Sequence, residues 1–210
     1  MVVYLHGFAS GPGSTKAQFL RARLAERGVT LEIPDLAPDF TNMTTTSMLA
    51  IVDALLAREP AVLMGSSLGG YLAALAAERQ PERVPGLVLM APAVDFAGRW
   101  ERSVGAEAMA RWRAKGTTRV FHYGRNREER LSTALLDEAR NHPAEPNPRC
   151  PTLVIAGRRD DAVPLDDVAR FAGRRPEREL VVFDAGHELT CVLEPLWDRT
   201  AAFLRRLGVL

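Results

Sequence analysis

The sequence predicts an α/β fold: a doubly wound, mostly parallel sheet of about six strands with one helical insertion. Two observations lead there. Short apolar runs at 1–6, 29–34, 60–65, 86–91, 151–156 and 179–184 are β-branched, leucine-rich and not alternating, as strands buried on both faces are. The stretches between them have helical character, and alternating strand and helix requires right-handed crossovers that cover both faces of the sheet.

Taken in order, MVVYLH at 1–6 leads through a glycine-rich loop to a helix over 14–27, opened by Ser14 and stopped before Gly28. VTLEIP at 29–34 is the second strand, and a helix over 46–58 follows a threonine run that offers N-caps. PAVLMG at 60–65 precedes 68–80, a helix apolar nearly all round and hence buried. GLVLMA, PTLVIA and ELVVFD are the remaining strands, and 194–207 sets Leu196, Phe203, Leu204 and Leu207 on one face of a last helix. Residues 92–150 break the rhythm, being too long for a single crossover. They hold Trp100, Trp112, Phe121 and Tyr123, and the patches 105–115 and 131–141 look helical. The expectation is one domain over 1–210 with a helical cap, at about 92–150, over the carboxyl edge of the sheet.

Composition fits that architecture. With 210 residues, 47% hydrophobic and 25% charged, the chain can bury a proper core. A formal net charge of +1 gives no reason to expect nucleic acid or an anionic membrane as partner. Lys16 and Lys115 are the only lysines, a genome or temperature bias and not a functional signal. Met1 runs directly into Val2–Leu5 without a basic leader, and the apolar stretch from Val84 to Val94 is far too short for a membrane span. A soluble cytoplasmic protein is expected. Cys150 and Cys191 lack metal-ligand spacing and read as free buried thiols, with a disulfide as the alternative.

Chemistry enters at Gly65-Ser66-Ser67-Leu68-Gly69, a G-x-S-x-G pattern between a strand and a helix. A turn this tight needs flanking residues almost free of side chain, and it pushes the central hydroxyl out at the sheet edge. Only Ser67 fits the frame; Ser66 falls on the variable position. Serine needs an oriented base, and His187, directly after the last strand, stands where one is required. His6 belongs to a His6-Gly7-Phe8 loop with another task, while His122 and His142 lie in the insertion as solvated or structural groups. The acid should lie between serine and histidine in the chain. Asp160 fits best the spacing of Gly157-Arg158-Arg159-Asp160-Asp161-Ala162-Val163-Pro164, with Asp161 and Asp95 as alternatives.

An acyl-transfer site also needs donors for a developing oxyanion. The N–H of Leu68, after the nucleophile, and that of Phe8, in the loop after the first strand, are the candidates. That glycine-rich loop is no phosphate loop, because Gly13 is separated from Lys16 and the hydroxyl precedes the lysine. The carboxylates Asp160, Asp161, Asp166 and Asp167 lack the glycine turn of a calcium loop, so no metal is expected, nor any cofactor. The four aromatic residues of the insertion either line an acyl pocket or anchor the cap. The segment 99–130, with more basic than acidic residues, would favour a substrate carrying negative charge.

Tyr4-Leu5-His6-Gly7-Phe8 with Ser14 and Lys16, then Gly65-Ser66-Ser67-Leu68-Gly69-Gly70-Tyr71, then the Asp160 and His187 loops, resemble the small bacterial YqiA-like esterases of the α/β-hydrolase superfamily over the whole chain. The resemblance implies a compact hydrolase of simple carboxylic esters using Ser67, Asp160 and His187. A second stretch, Leu131–Leu136, Glu138–His142, Cys150-Pro151 and Asp160–Pro164, is similar to the depalmitoylase-like thioesterases of that superfamily. The chain departs from these at Ile33-Pro34-Asp35-Leu36, where they have a D-Y-x-G-x-G-x-S loop, which favours the ester. The residues therefore point to a small-molecule ester substrate, with a thioesterase as the alternative and a non-catalytic binding module as a third class. They are silent on oligomeric state.

Overall fold

The structure, a computed structural model, describes residues 1–210. Its sheet is built from β1 (Val2–Leu5), β2 (Leu31–Glu32), β3 (Val62–Ser66), β4 (Leu87–Met90), β7 (Thr152–Gly157) and β8 (Arg178–Phe183), in the order β2-β1-β3-β4-β7-β8 and parallel throughout. Successive side chains on these strands enter opposite layers. Val3, Leu5, Leu63, Leu87, Leu89 and Val154 face one, while Val2, Tyr4, Val62, Met64, Val88 and Ile155 face the other. Both layers are covered, which is why the strands read as continuous apolar runs.

Helices α1 (Thr15–Ala25) and α8 (Leu193–Arg206) close one face; α2 (Thr45–Arg58), α3 (Leu68–Arg79) and α7 (Leu165–Gly173) close the other. The threonine run does supply the cap of α2: the Thr44 hydroxyl accepts from the Ser47 N–H and the Ser47 hydroxyl accepts from the Thr44 N–H. No helix is long and apolar enough to cross a membrane. The chain turns to opposite faces after β1 and after β3, so these neighbouring strands flank a crevice at the carboxyl edge.

The insertion carries the helices of the expected helical cap together with a hairpin that was not expected. It holds α4 (Phe96–Val104), α5 (Ala106–Lys115), an antiparallel hairpin of β5 (Thr117–His122) and β6 (Arg127–Ser132), and α6 (Ala134–Ala139). The helical patch expected at 131–141 thus begins with the end of a strand. The hairpin escapes a pattern search because its REERLS strand has no alternation of apolar residues. It is held instead by its ends. Leu131 is buried, His122 packs on Phe40 at 4.6 Å between ring centroids, and the Gly124 N–H donates to Ala9 O at 3.3 Å. Both cysteines are free, Cys150 half-buried and Cys191 exposed, against the expectation that both would be buried.

Backbone strain is concentrated at the carboxyl edge. Of six non-glycine residues with positive φ, only Asn126, in the hairpin turn, lies elsewhere; Ala9, Ser67, Ala91, Asp95 and Leu189 follow β1, β3, β4 and β8. Such clustering marks a functional edge.

Candidate active site

Ser67 is the residue on which the chain reverses from β3 into α3, at φ 53 and ψ −119. Its own N–H donates to Met90 O at 2.9 Å and its carbonyl accepts from Ala93 N at 3.0 Å, so the strained turn is pinned to the β4 side. Two glycines make the turn possible. A Cβ on Gly65 would sit 2.3 Å from Gly69 O, and one on Gly69 would sit 2.1 Å from Leu5 O, so the β3–α3 turn and the end of β1 touch backbone to backbone.

His187 Nε2 lies 3.0 Å from Ser67 Oγ, and its Nδ1 lies 2.9 Å from Asp160 Oδ2. The Asp160 side chain is only 2% exposed; its other oxygen accepts from the N–H groups of Ala162 at 2.9 Å and Val163 at 2.7 Å. A carboxylate held in this way accepts a hydrogen bond from Nδ1–H, which fixes the proton on Nδ1 and leaves Nε2 with a lone pair toward Ser67. The alternatives stand apart. Asp161 is exposed and makes no side-chain hydrogen bond, and Asp95 pairs with Arg102 at 2.7 Å. Asp166 and Asp167 occupy the first turn of α7, where a helix favours negative charge.

The Phe8 N–H has no acceptor within the chain, and the Leu68 N–H stands in the first turn of α3, ahead of any helical carbonyl that could accept it. Both adjoin Ser67, since a Cβ on Gly7 would lie 3.4 Å from the Ser67 Cβ. His6 holds this loop. Its Nε2 accepts from the Leu36 N–H at 3.1 Å, so the proton is on Nδ1, which donates to Gly7 O at 3.0 Å. Burial lowers the His6 pKa, which keeps the ring in the neutral form that this pattern needs. Because C=O and N–H of one trans peptide point in opposite directions, fixing Gly7 O also aims the Phe8 N–H.

Lys16 carries a role that reading it as part of a failed phosphate loop concealed. Its buried amine donates to the backbone carbonyl of Glu188 and lies 3.8 Å from the Glu188 carboxylate, tying α1 to the loop of His187. Burial lowers its pKa, and the Glu188 and Asp160 carboxylates oppose that shift. Only the juxtaposition of Lys16 with residues far along the chain reveals this contact.

A cleft of about 1220 Å³ opens over Ser67 and His187, bounded by Phe8, Phe96, Arg99 and Trp100. The four aromatic residues proposed for substrate binding divide. Trp100 lines the cleft, stacked edge-on to Phe8 at 4.6 Å, and Tyr123 lines its rim, 76% exposed. Trp112 lies in the core with its indole N–H donating to Leu131 O at 3.0 Å, so it anchors the cap. Phe121 is on the outer side of the hairpin, 45% exposed, against Tyr123 and outside the cleft lining. Sequence position alone does not separate these two pairs.

A six-stranded parallel sheet, with a serine elbow after a central strand and aspartate and histidine loops following in that order, defines an α/β-hydrolase. Within that class the chain belongs to UPF0227, described as Uncharacterised protein family (UPF0227), which matches residues 1–204. It is 25% identical over 224 residues to the mouse mitochondrial palmitoyl-protein thioesterase ABHD10, covering 94% of this chain and 75% of that protein. Its bovine counterpart is 28% identical over 187 residues, covering 82% of this chain and 61% of that protein. Among solved structures, mouse alpha/beta hydrolase domain-containing protein 10 superposes with a TM-score of 0.82 at 21% identity, over 98% of this chain and 90% of that one. Est1E from Butyrivibrio proteoclasticus, solved with ferulic acid bound, gives 0.82 at 18% identity, over 98% and 88%. These structures share the fold.

Proposed function

We propose that the protein is a serine hydrolase that cleaves carboxylic esters through an acyl-enzyme. The observation that carries this reading is the continuous relay from Ser67 Oγ to His187 Nε2 at 3.0 Å and from His187 Nδ1 to Asp160 Oδ2 at 2.9 Å. His187 takes the Ser67 proton as Oγ bonds to the acyl carbon, and Asp160 stabilises the imidazolium that results. The tetrahedral oxyanion accepts hydrogen bonds from the N–H groups of Phe8 and Leu68, the second reinforced by the positive end of α3. When the carbon–oxygen bond to the alcohol breaks, His187 passes its proton to the departing oxygen. Water then enters, gives a proton to His187 and its oxygen to the acyl carbon, and the acid leaves as Ser67 recovers its proton.

His6 serves this scheme by position. A His6→Phe variant keeps an aromatic ring, a larger one, but loses both nitrogens, and is expected to lose about 10- to 100-fold in kcat with KM little changed, since a misaimed donor costs less than the 10²–10³ of a deleted one. A kcat equal to wild type would mean that another contact orients the Gly7–Phe8 peptide.

The second reading is a thioesterase. It is favoured by the printed name of the mouse relative, palmitoyl-protein thioesterase, at 25% identity across 94% of the chain. Every residue of the relay serves a thioester equally. The two readings separate on turnover of matched oxygen esters and thioesters with one acyl group, corrected for their spontaneous hydrolysis. The ester reading requires the larger acceleration on the oxygen ester; a larger one on the thioester overturns it.

A further inference from the structure

Arg99, on the first cap helix α4, lines the cleft together with Ser67 and His187. Its Nε is buried without a hydrogen-bond partner, and its only bond is a 3.3 Å contact from Nη1 to Ala162 O. The other cations around the cleft are committed, Lys16 to Glu188 at 3.8 Å and Arg125 to Glu129 at 3.1 Å. Much of the cap's basic surplus is likewise paired, Arg102 with Asp95 at 2.7 Å, Arg113 with Glu101 at 2.6 Å and Arg119 with Glu128 at 3.1 Å. What remains toward the site is one guanidinium that bears the cost of burial with no carboxylate in contact, Asp167, Asp95 and Asp160 acting on it only from further off.

We propose that Arg99 determines specificity by binding a carboxylate on the substrate, so that preferred esters carry one negative charge away from the scissile bond. This rests on the hydrolase reading above. The planar fork of guanidinium donors matches the two oxygens of a carboxylate, and no carboxylate of the chain is in ion-pair contact with it. The charge of the surroundings limits the ligand to a monoanion. Asp95, Asp160 and Asp167 act on Arg99 at longer range, opposed by Arg102, and exposed Asp161 shares the cleft wall, so a single negative charge is a better match than a phosphate dianion. The carboxylate can belong to the acyl part or to the alcohol part of the ester, and the test distinguishes them.

The measurement is the ratio of kcat/KM for a charged ester to that for its neutral match, in two arms. The acyl arm compares mono-p-nitrophenyl adipate with p-nitrophenyl hexanoate; the alcohol arm compares the butyrate ester of glycolate with ethyl butyrate. In the arm that applies, Arg99→Met is expected to lower the ratio by about 10- to 100-fold, the range of a charge-assisted hydrogen bond. Arg99→Lys should restore part of it. Arg119→Met, which removes a cation from the exposed hairpin, should leave it within about twofold, because exposed charges are screened. An unchanged ratio in both arms overturns the proposal. So does an equal loss on charged and neutral esters, which would make Arg99 only a tie to the Ala162 loop. If wild type turns over none of these esters, the hydrolase reading fails separately. Calorimetric binding of monomethyl adipate then decides on Arg99: weaker binding to Arg99→Met supports the site, and equal binding removes it.

Discussion

Ser67→Ala is expected to lower kcat by about 10⁶, the loss seen when a triad nucleophile is removed, while the protein stays folded. The two halves of that expectation have separate grounds. The elbow is held by backbone contacts, from Ser67 N to Met90 O and from Ala93 N to Ser67 O, neither of which involves the hydroxyl. Alanine has the same Cβ and so the same tolerance of φ 53, and stability should change by no more than about 0.5 kcal/mol. The hydroxyl itself bonds only His187. A fluorophosphonate probe should therefore label wild type and not the variant, with urea unfolding of both as the control. Activity within tenfold of wild type would remove Ser67 from the mechanism and turn attention to Ser66, which also lines the cleft.

The elbow could be read from sequence because its chemistry and its backbone demands coincide. Gly65 and Gly69 are required because a Cβ on either would fall 2.3 and 2.1 Å from a backbone oxygen, and the same spacing is the motif that locates Ser67. The strands could be read because burial on both faces leaves an uninterrupted apolar run. β2 shows the limit of that signal, with two paired residues where six were expected, since ladder bonds reach only Leu31 and Glu32 at this edge. The hairpin was hidden for a different reason. Arg127, Glu128 and Arg130 are exposed and Glu129 pairs with Arg125 and Arg127, while the burial of His122 and Leu131 depends on Phe40 and the core beneath, which no local window contains. Lys16 and Arg99 belong to the same kind of information. One matters because it reaches Glu188, 172 residues away, and the other because its Nε meets no acceptor in the chain.

Asp160→Asn is expected to cost about 10⁴ in kcat, as the corresponding change does in the serine-protease triad, and Asp161→Asn very little. The geometry dictates how the amide must sit. Asp160 Oδ1 receives two backbone N–H donors, from Ala162 and Val163, so in asparagine that position must be taken by the amide oxygen. The amide NH₂ is then forced to the Oδ2 position and faces His187 Nδ1. An NH₂ there needs an acceptor, so His187 must carry its proton on Nε2, where it faces Ser67 Oγ and can no longer take the serine proton. The loss is one of tautomer and not of structure, because all three hydrogen bonds of the Asp160 side chain persist. Asp161 makes no such bonds, and its exposed carboxylate is screened by water. The check is kcat for both variants beside unfolding curves, with ¹⁵N NMR of His187 to read the tautomer directly. If Asp161→Asn proves the damaging change and Asp160→Asn the mild one, the acid lies one residue further along the loop than the hydrogen bonds place it.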